Sequence, residues 1–323
     1  MSDITESSPK DAFAFLFPGQ GSQKVGMGLE LSQEYDTARA VFDEADAALN
    51  RHLSQLCFEG PAEVLKQTEN TQLAILTCSV AALRVLSERG ITPKAVAGHS
   101  LGEYSALVAA DVLAFSDALK LVEYRAKVMA EASQRQDCTM AAILGLEEAI
   151  LQNLCEAASS AESGVVQIAN YNCPGQLIVS GDTAAVGQVM DSAKAAGARR
   201  CLQLEVSGAF HSSLMSPAKE RLQAVIDDFQ FHDPSIQVVA NVTGESVETG
   251  EEIRRLLIAQ VTTAVQWEKS IRTIDAASVS HFVEVGPGTV LSGMVRRTLP
   301  EAVCLNVEDI KSLDKVMDIA YKG

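Results

Sequence analysis

Residues 96–104 read Val96-Ala97-Gly98-His99-Ser100-Leu101-Gly102-Glu103-Tyr104. The pentapeptide Gly98–Gly102 has the form G-x-S-x-G. It follows a short apolar run, Lys94–Ala97, that reads as a strand, and precedes a helix-forming run, Glu103 to Leu113. A strand turning sharply into a helix holds a serine in a strained, exposed position, and the flanking glycines give the backbone room to turn. There the Ser100 hydroxyl can attack a carbonyl. The N–H of Leu101, at the new helix start, can hold the resulting oxyanion.

Upstream, Phe13-Ala14-Phe15-Leu16-Phe17 is a buried-strand run ended by Pro18-Gly19-Gln20-Gly21-Ser22-Gln23. This loop lacks the lysine and spacing of a phosphate cradle. Its glycines either form a plain strand–helix turn or let backbone supply a second oxyanion donor. Helical patterns follow to about residue 57. Asn70 or Thr71 is read as the cap of a long helix, Gln72 to Arg89, closed by Gly90, and Ser116 or Asp117 opens another helix to about Ser133.

The middle third has a different rhythm. Strand Thr139–Leu144, helix Glu147–Ser160, strands Val165–Ala169 and Leu177–Ser180, helix Thr183–Ala196 and strand Cys201–Val206 make a β-α-β-β-α-β order, that of a ferredoxin-like unit. It predicts an inserted small subdomain at 135–205, interrupting a large α/β domain made of 1–134 and 206–323. Strands are expected again at Ile236–Ala240, His281–Val285 and Val303–Val307. Helices are expected at Pro217–Phe229, Glu251–Gln260, Trp267–Ala276 and Val290–Thr298. Such alternation implies a mainly parallel sheet covered on both faces, with ligands at the carboxyl ends of its strands.

Composition narrows the function. The 323 residues are 47% hydrophobic and 21% charged, ordinary for a soluble protein with a sizeable core. No apolar stretch is long enough for a membrane span, and Met1–Lys10 is polar, with no leader pattern, and reads as a frayed start. A net charge of −16 argues against nucleic acid as partner. Seven scattered cysteines without C-x-x-C point to buried thiols in a reducing cytoplasm, and five dispersed histidines show no metal-ligand spacing. A monomer is the default expectation.

A serine hydroxyl needs a base. His99 adjoins Ser100, but successive residues of a sharp turn point apart, so a positioning role suits it better. His211, in Ser207-Gly208-Ala209-Phe210-His211-Ser212, leaves a strand end on a glycine-set loop; it is a catalytic base or an ordinary surface histidine. Asp227, Asp228, Asp233 and Glu284 are possible acidic partners for it, and no spacing selects one; a backbone carbonyl would serve as well. Arg125 shares a helix face with Leu121 and Val128. It either snorkels to water, the commoner outcome, or is buried as a planar charged fork suited to a carboxylate. Trp267 reads as a packing residue.

Taken together these residues resemble the malonyl-CoA:acyl-carrier-protein transacylase family. Phe15–Gln23 is similar to its opening motif, Gly98–Tyr104 to its nucleophile motif and Gly208–Ser212 to its histidine motif. Arg125, Asn170 with Pro174-Gly175-Gln176, Gln260 and Val285-Gly286-Pro287-Gly288 follow in the expected order, so the likeness runs from about residue 12 to 308. The resemblance implies an α/β-hydrolase-like large domain with a ferredoxin-like small one. It implies Ser100 as nucleophile, His211 as base oriented by the Gln260 main-chain carbonyl, and an oxyanion hole from the N–H groups of Gln20 and Leu101. Arg125 would bind the malonyl carboxylate, with Asn170, Phe210 and His99 also on the substrate side; Phe210 is similar to malonyl-selective members. No bound cofactor or metal is implied. Malonyl-CoA is the implied substrate, and acyl carrier protein, bearing phosphopantetheine, the implied partner. Arg199-Arg200, Arg254-Arg255 and Arg296-Arg297 are candidate carrier contacts. The rivals are an esterase or thioesterase, and a non-catalytic carrier-binding protein.

Overall fold

The architecture is that of a computed structural model describing residues 12–134, 137–159, 162–206 and 208–322. The frayed start expected at Met1–Lys10, the end of the helix expected at Ser160, the subdomain boundary at 135 and Ser207 of the histidine loop lie outside these residues. Among the described residues the strands are β1 (Phe13–Phe17), β2 (Pro93–Gly98), β3 (Cys138–Leu144), β4 (Val166–Cys173), β5 (Gln176–Asp182), β6 (Arg200–Gln203), β7 (Gln237–Val239), β8 (Ser246–Val247), β9 (His281–Val285) and β10 (Val303–Val307).

Two sheets form. The larger has the order β10-β9-β1-β2-β7-β8, parallel except for β8. Its central strand explains the all-apolar sequence of Phe13–Phe17. Phe13, Phe15 and Phe17 enter the core on one face, while Ala14 and Leu16 enter a second core on the other. Side chains alternate along a strand, so burial on both faces demands an unbroken apolar run. Val96 and Val283 point into the first core, and Ala95, Ala97 and Phe282 into the second.

The smaller sheet is antiparallel in the order β4-β5-β3-β6, the ferredoxin-like arrangement that the β-α-β-β-α-β pattern predicts. Ala141 and Ile143 of β3 pack on the helices Glu148–Ala158 and Thr183–Ala195, while Met140 and Ala142 face the large core. Strand β4 is tied to the loop before Trp267 of the large domain: Tyr171 N donates to Val265 O at 2.9 Å, and Val265 N to Ala169 O at 2.9 Å.

Several boundaries differ from the sequence reading. The long helix spans Thr68–Glu88, starting before the expected caps. Asn70 instead donates to Val64 O at 2.8 Å and the Thr71 hydroxyl bonds Leu65 O, so both side chains bind the preceding turn from inside the helix. The helix after Ser100 stops at Ala109, not near Leu113, because Asp111 takes a left-handed φ of 58°. The strand expected at 201–206 ends at Gln203, because after the Leu204 N bond to Met140 O the chain leaves the sheet. A closing helix, Ile310–Lys322, was not read from sequence; Leu313, Val316 and Ala320 bury its inner stripe.

Candidate active site

β1 lies between β2 and β9, the point where the strand order reverses, and such crevices hold ligands in parallel sheets. Phe17 pairs with Gly98, so the loops leaving β1 and β2 emerge side by side. His99 N donates to Phe17 O at 2.9 Å, locking them together. The two glycines of the pentapeptide are required by close approach. A Cβ on Gly98 would sit 1.8 Å from Gly102 C, and one on Gly102 would sit 2.0 Å from Phe17 O. Between them Ser100 holds a left-handed φ of 52°, a conformation costly for a non-glycine residue that persists only where surroundings enforce it. Asn241 supplies that enforcement. Its Oδ1 accepts from Ser100 N at 2.7 Å and its Nδ2 donates to Gly98 O at 2.6 Å, so one amide clamps both arms of the turn.

His211 also sits at a positive φ, 59°, and is buried, not displayed on a surface loop. Its Nε2 lies 2.8 Å from Ser100 Oγ and its Nδ1 lies 2.8 Å from Gln260 O. A carbonyl oxygen only accepts, so Nδ1 carries the proton and Nε2 is left to accept from the serine hydroxyl. Burial and the nearby Arg125 charge push the His211 pKa down to about 3, leaving a neutral ring. Three of the four acidic residues considered for its other side are occupied elsewhere, and Asp228 is exposed. Asp227 pairs with Arg254 at 2.7 Å, Asp233 accepts from Gly250 N at 2.9 Å, and Glu284 accepts from Leu291 N and Ser292 N at 3.0 and 2.8 Å, capping the Val290–Thr298 helix.

Arg125 takes the buried alternative, at 1% exposure, instead of the commoner route to water. It rises from the Phe115–Gln134 helix. Nη1 donates to Gln72 Oε1 at 2.5 Å; Nη2 donates to Gln260 Oε1 at 2.9 Å and to Ser100 Oγ at 3.1 Å. These bonded partners are all uncharged. The Tyr104 ring lies 5.5 Å from the guanidinium carbon, and Nε has no partner among the described residues. Burial lowers the Arg125 pKa, opposed by Tyr104 and Glu103.

A cavity of about 270 Å³ opens onto this centre. Gly19, Gln20, His99, Ser100, Leu101, Arg125 and His211 line its large-sheet side, and Asn170, Ile178 and Phe210 help to line the rest. The N–H groups of Gln20 and Leu101 have no acceptor among the described residues. His99 faces away from Ser100: its Nε2 is 2.9 Å from Asn172 Oδ1, and its ring meets Trp267 edge-on at 5.4 Å. Asn170 sits where β4 bridges to Val265. The nine residues singled out from sequence therefore converge on one cavity or its wall, with Gln260 entering through its carbonyl and its side chain alike.

The family of the acyl transferase domain matches residues 14–317. The malonyl CoA-acyl carrier protein transacylase of Bacillus subtilis is 45% identical over 301 residues, covering 93% of this chain and 95% of that protein. The chain belongs to the malonyl CoA-acyl carrier protein transacylase family, and it is an acyltransferase. The crystal structure of an acyl carrier protein S-malonyltransferase from Vibrio cholerae matches with a TM-score of 0.91 at 40% identity, covering 94% of this chain and 99% of that one. A malonyl-transacylase solved in complex with a type II polyketide acyl carrier protein matches with a TM-score of 0.92 at 38% identity, covering 97% and 100%.

Three site residues escaped the sequence reading: Asn241, Glu103 as more than part of a motif, and Gln72. Asn241 carried a usable signal, since it directly follows the predicted strand Ile236–Ala240, and strand ends are where such groups sit. Gln72 stands in the second turn of a largely apolar helix and carried none. Among the described residues no group of His, Cys, Asp and Glu could hold a metal, and no helix is long and apolar enough to cross a membrane. All seven cysteines are free.

Proposed function

We propose that the chain carries a malonyl group from malonyl-CoA to the phosphopantetheine thiol of acyl carrier protein through an ester on Ser100, supplying fatty acid synthesis. The names of its relatives support the substrate and the partner. His211 Nε2 takes the Ser100 proton as Oγ attacks the thioester carbon. The N–H groups of Gln20 and Leu101 stabilise the oxyanion, each such donor being worth ~2.7–4 kcal/mol of barrier. The tetrahedral species collapses, the C–S bond breaks, and CoA leaves with the proton from His211. The carrier thiol then gives its proton to His211 and attacks the ester, and the serine is released. His211 is a Ser–His dyad member here, with the Gln260 carbonyl in place of an acid.

One observation carries this reading: a buried guanidinium with only uncharged bonded partners lies 3.1 Å from the nucleophile. A general esterase has no use for it, whereas an acyl group ending in a carboxylate supplies a directly bonded anionic partner. A carrier delivering its thiol to this cavity would pass the helix Val290–Thr298, which lines it through Val290, Leu291 and Met294 and exposes Arg296 and Arg297. Intact-mass measurement after brief exposure to malonyl-CoA tests the scheme. The expected result is a malonyl adduct on the wild type and none on Ser100→Ala, with transfer lost in that variant. Transfer that persists in Ser100→Ala would falsify the covalent route.

A further inference from the structure

We propose that Glu103 is a positioning residue, an ionised carboxylate that sets the direction of a buried hydrogen-bond chain joining Arg125, the residue that orients His211 and the clamp on Ser100. This rests on the Ser100–His211 reading above and extends it to a residue that touches neither reacting atom.

The argument is one of donors and acceptors. Glu103 stands on the first turn of the Gly102–Ala109 helix at 2% exposure. Its Oε2 accepts from Gln260 Nε2 at 2.6 Å and its Oε1 accepts from Asn241 N at 3.3 Å. Gln260 cannot turn its amide over. Its Oε1 receives Arg125 Nη2, which can only donate, and its Nε2 also donates to Ser100 O at 2.9 Å. At the other end a main-chain N–H is a donor by construction. The group between Gln260 and Asn241 must therefore accept at both oxygens, which an ionised carboxylate does with no proton to place and a carboxamide does not.

The chain matters because of what its members hold. Gln260 offers its carbonyl to His211 Nδ1, and Asn241 grips Ser100 N and Gly98 O. Glu103 thus ties base and nucleophile to one anchor. It also acts on Arg125 through space, one buried negative charge set against one buried positive charge.

Burial pushes the Glu103 pKa up to about 7, against the opposing pull of Gln260, Asn241 and Arg125. The charged or titratable groups around it are Arg125 from the Phe115–Gln134 helix, His211 from its loop, His99 at the end of β2 and Tyr104 on its own helix. His211 stays neutral down to about pH 3 and Tyr104 stays protonated up to about pH 12, so neither titrates near 7. As pH falls through this range Glu103 gains a proton, and one of the two oxygens that accept from Gln260 and Asn241 becomes a hydroxyl, a weaker acceptor than a carboxylate oxygen.

The experiment measures malonyl transfer by wild type, Glu103→Gln, Glu103→Asp and Ser100→Ala, with the folded state followed by thermal melting. Glu103→Gln is expected to lose at least tenfold in kcat without a rise in KM for malonyl-CoA, since the variant no longer sets a second negative charge against the substrate carboxylate. Glu103→Asp, with two acceptor oxygens, should fall between it and the wild type. A second measurement needs no variant: the wild-type acylation rate should decline with a midpoint near pH 7. Wild-type kcat in Glu103→Gln, a loss confined to KM, or a wild-type profile level from pH 8 to 5 would each overturn the proposal. Transfer surviving in Ser100→Ala would instead remove the reading beneath it, whatever the Glu103 variants do.

Discussion

Replacing Arg125 by alanine separates acyl selectivity from catalysis. In the native site the guanidinium is buried, 3.1 Å from Ser100 Oγ, and its bonded partners are neutral. A malonyl carboxylate placed there forms a charge-assisted pair worth ~1.5–3 kcal/mol, whereas acetyl leaves the guanidinium without a bonded anion. The upper figure applies because Arg125 is buried, and ~3 kcal/mol is roughly 150-fold in kcat/KM. Arg125 also touches Ser100 and Gln260, so its loss slows every acyl group through poorer alignment. That shared loss cancels in a ratio. The assay is therefore competition: malonyl-CoA and acetyl-CoA offered together with one carrier protein, read as the ratio of the two kcat/KM values. The ratio should fall ~100-fold in Arg125→Ala while acetyl transfer changes far less. A ratio within about threefold of wild type, below even the lower figure for the pair, would mean that the malonyl carboxylate is held elsewhere.

Two further outcomes concern the elbow. Gly102→Ala places a methyl 2.0 Å from Phe17 O and should cost about 3 kcal/mol, seen as a melting midpoint lowered by about 5 °C or more; Gly187→Ala, on a helix with nothing within 4 Å, should leave it level or raise it slightly. Asn241→Ala leaves Ser100 N–H and Gly98 O without their partner, so both stability (by ~1–3 kcal/mol in denaturant unfolding) and turnover should drop, and a variant with native kcat would show that the turn holds itself.

Much of the fold was legible because its signals are local. The run Phe13–Phe17 reads as a doubly buried strand from its own apolarity, and the inserted unit reads from the order of its periods alone. His281–Val285, Val290–Thr298 and Val303–Val307 were read with the bounds the structure has. The long helix shows the limit. Asn70 and Thr71 look like caps, yet helical backbone begins at Thr68, because their side chains found partners in the turn before. Local propensity could not see those partners.

The site divides in the same way. Position alone drew attention to Ser100, His211 and Arg125, and motif resemblance brought in Gln20, Gln260, Asn170 and Phe210. Glu284 shows what chemistry by residue type misses: a buried carboxylate in the right part of the chain, spent on capping a helix.

What the sequence by itself determined was the sharp turn at Ser100, since Gly98 and Gly102 are dictated by contacts that any strand–turn–helix of this kind makes. It also determined the alternation that builds both sheets. Only the tertiary structure decided which group faces His211 Nδ1, whether Arg125 is buried, and that Glu103, Gln260 and Asn241 form one chain. Those outcomes depend on atoms 49 to 157 residues apart along the backbone meeting at hydrogen-bond distance. Hydrogen bonding is short-ranged and directional, so such pairings exist only once packing has fixed every partner in place.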